Sequence, residues 1–432
     1  MGDRAERWGG ALQALLAPVP APTVAVVDGY STGRVLAARL RAAGARCMHV
    51  RSRRDVPAYF LRGFDPGDYV LNLEHTGDLA ALAGRLAAAG ATRVVPGTES
   101  GVALADALAH LLGLPGNAPD GTPARRHKGR MAEAAAAAGL ATPRGRVCDS
   151  AAEAAEWVAA QGLAEAVVKP VNSAGTDHVR LCTGPEAVRA AARAVLSSRT
   201  LYGDRNRTVL VQERLHGTEC YLNTVSAGGV HRIAETWRYV KRESRTGSPA
   251  YDYEEPVPAG SAEAAVLHAF TRRVLDALGV REGAAHTEVM LTARGPVLVE
   301  TGARLGGATA PDVVERYCGV SQAGLLTATL LDPAALARFA DREVTWRAHV
   351  RNVGLLNGVA GTVRSLRWVE ALRALPTAVA VLSGLRPGEH LPVTSTLLDA
   401  PGYVYLASPD PACVRRDYAR LRALEEGALY TS

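Results

Sequence analysis

Lysine is scarce in this sequence: Lys128, Lys169 and Lys241 are the only ones among its 49 Lys and Arg residues. A chain that otherwise uses arginine keeps lysine where a compact, strongly hydrated ammonium is needed. Lys169 lies near the end of the strand-like run 165–171, EAVVKPV, and Ser173, Ala174, Gly175 and Thr176 come soon after. Small residues let backbone N–H groups approach phosphate oxygens closely, and the lysine would add a point charge beside them. An ordinary turn after a strand would carry the same composition. The stretch 286–302, HTEVMLTARGPVLVETG, reads as a hairpin turning near Arg294-Gly295. A three-residue loop with Gly295 in the left-handed region would set Glu288 directly opposite Glu300. A slip of one residue would put the two on opposite faces. Directly opposed carboxylates destabilise a sheet unless a cation lies between them.

The elements that must hold these groups alternate along the chain. TVAVVDG (23–29) is a continuous apolar run, as a buried parallel strand requires, and 31–44 has helical spacing with a glycine stop. RCMHVRS and RVVPGTES continue the rhythm, which predicts a parallel sheet covered by helices. Glu99 falls at a strand C-terminal end, where open parallel sheets place their ligands, and could receive a substrate ammonium. The turn DGYSTG lacks the glycine spacing of a dinucleotide site. NAPDGTPARR (117–126) reads as a hinge, 143–220 as a small α+β lid and 221–310 as β-rich. From 311 to 432 a helix, strands and a charged terminal helix follow. The stretch 234–256, with Arg238, Lys241 and Arg242, reads as a polar loop that could guide a carboxylate or a phosphate, or as a solvated charged loop.

Lys128, then Lys169-Pro170, a Gly loop, and Glu213, Gly217 and Glu219 follow one another in an order that resembles the ATP-grasp enzymes over roughly 120–307. The resemblance implies an α/β plus α+β architecture. It comprises an N-terminal Rossmann-like pre-ATP-grasp domain (1–118), an ATP-grasp domain (119–310, lid about 143–217) and a C-terminal α+β region (311–432). It also implies ATP as cofactor. Lys128 and Lys169 would contact phosphates, with Ser173, Ala174 and Gly175 in the loop beside them. The backbone of Gln212, Glu213 and Leu215 would meet adenine, and Glu219 the ribose. Oxygen-only ligands at Glu288 and Glu300 then suit Mg²⁺, with Mn²⁺ an alternative. Many members carry Glu-x-Asn at the second carboxylate, whereas this chain has Glu300-Thr301-Gly302, which leaves the metal count open.

HTE…GPVLVETGARLGG is most similar to the L-amino acid ligases of the bacilysin-synthetase type. There Arg304 would face an acyl phosphate and its tetrahedral intermediate, aided by the backbone of Gly306 and Gly307. His286 is placed to touch substrate or to serve structure, and Lys241 is a further catalytic candidate. The activity implied is an ATP-dependent carboxylate–amine ligation releasing ADP and phosphate, with amino acids as small-molecule substrates in specialised metabolism. A peptide or carrier-linked substrate, or a carboxylase of the same fold, is the alternative; a homodimer is plausible by analogy.

The bulk numbers exclude other classes. No run of 18 apolar residues could cross a membrane. Arg4, Arg7 and the short stretch 11–16 make a poor signal peptide, and Glu6 breaks a myristoylation motif. Six scattered cysteines suggest reduced thiols and a cytoplasmic protein. The net charge of +6 is spread along the chain without a basic, aromatic patch, so no nucleic-acid partner is expected.

Overall fold

The computed structural model describes residues 22–173, 175–243, 249–396 and 399–431. Strands β1 (Thr23–Val27), β2 (Arg46–Arg51), β3 (Leu71–Glu74) and β4 (Arg93–Pro96) form a parallel sheet in the order β3-β2-β1-β4. All five residues of β1 are buried, as a central strand covered on both faces must be. The helix Thr32–Ala42 packs so closely that a Cβ on Gly33 would lie 2.7 Å from the Cα of Gly97. Only glycine allows that approach.

The segment 117–126 is not an open hinge. It forms a helical turn, Pro119–Gly121, and the helix Thr122–Arg126. Arg125 is fully buried and donates to Asp106, to Ala118 O and to Leu278 O, so three parts of the chain meet on one guanidinium. A buried charge persists only when paired and hydrogen-bonded in this way. The turn residues that suggested a hinge serve this junction instead.

The lid is an antiparallel sheet in the order β5-β8-β6-β7, with β5 Gly145–Cys148, β6 Glu165–Pro170, β7 Arg180–Thr183 and β8 Val209–Glu213. Helices Ala151–Ala160 and Gly184–Leu196 cover one face. Their alanines allow close approach to Val168, Val209 and Val211.

The largest sheet has eight strands: β9 Thr218–Ala227, β10 Val230–Glu243, β11 Pro249–Pro256, β12 Gly283–Thr292, β13 Gly295–Gly302, β14 His349–Gly354, β16 Ala378–Leu382 and β18 Tyr403–Ser408. Its order is β13-β12-β9-β10-β11-β14-β18-β16, while β15 (Gly361–Thr362) and β17 (His390–Leu391) pair separately. The large sheet runs straight across the expected boundary at 310/311. One core cluster joins the first helix (Leu36, Leu40), the sheet (Tyr221, Trp237, Tyr405) and the helices after 310 (Val314, Leu326).

The described parts of 234–256 are therefore not a loop. The stretch's described residues, 234–243 and 249–256, lie in the long strands β10 and β11, and its polar side chains have partners nearby: Arg238 on Glu255 of β11 and on Glu263 of the helix Ala262–Ala277, Lys241 on Glu219 of β9. Its composition misleads because one sheet face there lines a polar site rather than a hydrocarbon core.

Candidate active site

Two adjoining compartments share the wall made by Lys128, Ser173 and Glu300. The larger, about 380 Å³, lies between the lid and the β9–β13 part of the large sheet. β6 delivers Lys169 to it at only 7% exposure. Burial pushes this ammonium's pKa down, and the carboxylates of Glu300, Glu288 and Glu219 act against that shift. Lys128 starts the helix Lys128–Ala137. Its Nζ donates to the carbonyl of Ser173 at 2.6 Å and lies 3.1 Å from Glu300 Oε2. One ammonium thus ties the small-residue loop to the carboxylate hairpin.

That loop is internally braced. Ser173 Oγ donates to Asp177 at 2.6 Å, and Gly175, Thr176 and His178 all have positive φ. Gly175 lines the cavity, whereas Ala174 lies outside the described residues. At the end of β8, Gln212, Glu213 and Leu215 line the same cavity. The Glu213 side chain is committed elsewhere, accepting from Arg144 and Arg294. Burial alone would raise its pKa, and those donors outweigh burial and hold it low. The backbone there is partly committed too, because the Glu213 N–H donates to Arg144 O at 2.8 Å and the Arg214 N–H to Glu165 O at 3.4 Å.

Gly217 immediately precedes β9, with no room for a side chain: a Cβ would fall 2.1 Å from Leu291 O. Glu219 follows, and both its oxygens accept from Lys241 Nζ at 2.7 Å. Lys241 lies over the rings of Tyr251 and Tyr239 at 4.6 and 5.1 Å. Burial disfavours its charge, but Glu219 and Glu288 prevail and raise its pKa. Lys241 lines the larger compartment and not the smaller one.

β12 and β13 set Glu288 opposite Glu300, by a route different from the expected three-residue loop. Thr292 pairs with Gly295, so only Ala293 and Arg294 form the turn. That register alone would oppose Glu288 to Val299. A bulge at Val299 restores the carboxylate pair. Glu288 is also reached by Tyr239 OH at 3.2 Å and by His286 Nε2 at 3.6 Å. Burial would raise its pKa, and His286 and the charges of Lys241 and Lys169 outweigh burial and hold it well below the usual range. His286 Nδ1 sits 2.8 Å from Asn223 Oδ1. Both ring nitrogens therefore face protein groups, which favours orientation of Glu288 over contact with substrate.

The smaller compartment is lined by Glu99, Arg126, Tyr202, Glu300 and Arg304. Glu99 starts the helical turn after β4, and its two oxygens face Arg304 Nε at 3.3 Å and Arg126 Nε at 3.5 Å. Gly306 does not offer its N–H to this space, because that N–H donates to Gln322 at 2.8 Å. The expected oxyanion role for Gly306 therefore fails. Its function is fit: a Cβ there would lie 2.8 Å from Asn223 Oδ1 and 3.0 Å from His286 Nδ1. Gly307 is exposed, with nothing within 4 Å of a Cβ.

Arg126, Tyr202 and Asp177 were not singled out from sequence. Arg126 had a signal, lying two residues before Lys128; Tyr202 sits in a lid loop that carried none.

Beyond this loop, Glu254 on β11 is buried and accepts from Tyr221 OH at 2.8 Å and from Asn352 at 3.0 Å. Burial raises its pKa from 4.5 to about 7. The folded value lies above the unfolded one. Its stabilising contribution is thus complete below about pH 4.5 and is lost as pH rises through about 7. Urea midpoints should fall between about pH 5 and 8, and Glu254→Gln should flatten the fall. An equally steep fall in the variant would assign the pH dependence to other groups.

No protein-family model matches the chain. Dapdiamide A synthase from Enterobacter agglomerans is 30% identical over 412 residues, covering 93% of this chain and 95% of that protein. The L-amino acid ligase from Bacillus licheniformis superposes with a TM-score of 0.73 at 18% identity, over 93% of this chain and 97% of that one. Carboxyaminoimidazole ribonucleotide synthase from Aspergillus clavatus, solved with ATP, gives 0.70 at 14% identity, over 94% and 98%. Among the described residues no helix is long and apolar enough to cross a membrane. With a relative this similar along nearly its whole length, and with the fold shared with solved ligases, the chain belongs to the ATP-grasp carboxylate–amine ligases.

Proposed function

We propose that the enzyme joins the carboxylate of one amino-acid or amino-acid-like substrate, held in the smaller compartment, to the amino group of a second through an acyl phosphate formed at the Lys128–Glu300 wall. The observation that carries this reading is the shared wall itself. A phosphate held in the larger compartment and a carboxylate held in the smaller one would meet there. ATP would lie with adenine against the backbone of 212–215 and its ribose at Glu219. Its phosphates would lie between Lys128, Lys169 and the loop at Ser173–Gly175.

The donor set at Glu288 and Glu300 fits Mg²⁺, and Mn²⁺ equally. The donors are oxygens, and Glu288 is held ionised. Among the described residues no group of three or more His, Cys, Asp or Glu is placed to hold a metal ion by itself, so phosphate oxygens and water would complete the shell, as Mg²⁺ prefers. The ion would neutralise charge on the transferring phosphoryl group.

The substrate carboxylate oxygen attacks the γ-phosphorus as the bond to ADP breaks, a step governed by position and charge neutralisation. The ammonium gives one proton to water, the free amine attacks the acyl carbon, and the nitrogen's second proton leaves with the departing phosphate. Arg304 donates to the developing oxyanion and phosphate leaves. Glu99, now held by two arginines, would exchange one of them for the substrate ammonium. A relative named for making dapdiamide A supports an amide product of specialised metabolism.

The test is incubation with Mg-ATP and pooled amino acids. Amino-acid-dependent release of ADP and phosphate is expected. AMP with pyrophosphate would overturn the acyl-phosphate route, and turnover dependent on bicarbonate alone would point to a carboxylase.

A further inference from the structure

Tyr202 belongs to the loop between the lid helix Gly184–Leu196 and β8, and it touches three parts of the molecule. Its ring stacks on Phe60 of the N-terminal domain, with centroids 5.5 Å apart and planes at 14°. A second link runs beside it, from Arg53 to Asp204 at 3.1 Å. The neighbouring Leu201 N–H donates to Asp177 at 2.9 Å and reaches Ser173 Oγ at 3.3 Å, so the loop is braced against the phosphate-side loop. The Tyr202 ring itself is buried and lines the smaller compartment beside Glu99, Arg126 and Arg304.

That compartment measures about 20 Å³. A space of this size holds roughly one water, too little for an amino acid with a large side chain. Something must therefore move before such an amino acid can enter. Glu99 is fixed in a turn against buried Asp28, through Thr98 on its carbonyl and Ser100 on its carboxylate. Arg126 ends the helix that Arg125 anchors, and Arg304 follows β13 directly. Tyr202 comes from a loop outside helix and sheet ladders, held by turn hydrogen bonds such as Thr200 N–H to Asp204 O at 2.8 Å and by an isolated bridge between Arg199 and Arg205, so the loop can move as a unit against Phe60.

We propose that Tyr202 is the gate and size filter of the amino-acid compartment, its ring occupying the volume that the substrate takes when the loop swings away from Phe60. This inference rests on reading that compartment as the amino-acid site. The loop's hydrogen bonds to Ser173 and Asp177 place the gate in contact with the loop that would hold phosphate.

The experiment measures kcat and KM for amino acids from glycine to tryptophan at saturating Mg-ATP, in wild type, Tyr202→Ala, Tyr202→Phe and Phe60→Leu. Tyr202→Ala should improve kcat/KM for the largest side chains over glycine by about tenfold, with KM for ATP unchanged. Tyr202→Phe should keep the wild-type ranking, because the filter is the ring and not the hydroxyl. Phe60→Leu should shift the ranking as Tyr202→Ala does, but less, and it stands in if that variant does not fold. An unchanged ranking in folded Tyr202→Ala and Phe60→Leu overturns the gate. So does loss of turnover with every amino acid while Mg-ADP still binds. Absence of amino-acid-dependent ADP release in the wild type would instead overturn the reading of the compartment, and the gate with it.

Discussion

Glu300→Ala should lower amino-acid-dependent ADP release by on the order of 10³-fold while leaving the protein folded. Three contacts converge on this carboxylate. It opposes Glu288 across the hairpin, it lies 3.1 Å from Lys128, and it lines both compartments. Its removal takes away one of the two proposed metal ligands. It also leaves Lys128 held only by the Ser173 carbonyl, free to pull the loop out of register with the hairpin. The side chain is 25% exposed, so truncation opens no core cavity and the thermal midpoint should stay near wild type. The assay is continuous ADP detection, with calorimetry on the same sample. A variant that kept a tenth of the rate would remove the carboxylate pair from the chemistry.

Arg304→Ala should reduce kcat by about 10²- to 10³-fold, the usual cost of losing one preorganised donor to an oxyanion. It should leave KM for ATP close to its original value. The distinction follows from placement, because Arg304 lines the smaller compartment and is absent from the larger one. Arg304→Lys should not rescue. Arg304 holds Glu99 through Nε and its own strand exit through the donor to Leu305 O, a fork that a single ammonium cannot reproduce. If KM for ATP rose and kcat did not fall, Arg304 would belong to nucleotide binding.

Much of the fold was legible because it is written in local periodicity. The apolar run at β1, the strand that delivers Lys169 and the hairpin at 286–302 each announce themselves within a few residues. What failed to show needed partners far apart in sequence. The run 234–256 looks like a loop because its charges seem solvated, yet Lys241 has its partner on β9 and Glu254 has its partners on β9 and β14. The opposition of Glu288 and Glu300 was readable, but its cause was not. A two-residue turn and a bulge sum to the same register as a three-residue loop, and sequence spacing cannot separate the two. Tyr202 and Asp177 enter the site through tertiary placement alone, and Arg126 is signalled only by its nearness to Lys128. Gly306 suggested an open backbone donor, and only the Gln322 side chain, arriving from a later helix, shows that donor to be spent.

The eight-stranded sheet also bears on how such a protein can be cut and recombined. Its β11–β14 pairing lies between the residues that line the larger cavity and the C-terminal region. A chain ended at 310 would not release a self-sufficient catalytic half. It would bare the long edge of β11, strip Asn352 from buried Glu254, and leave Trp237 without the Trp346 that packs against it. Such an edge is a template for pairing with other chains. For grafting between relatives, the exchangeable unit is therefore the lid, whose sheet is complete in itself, and not the tail.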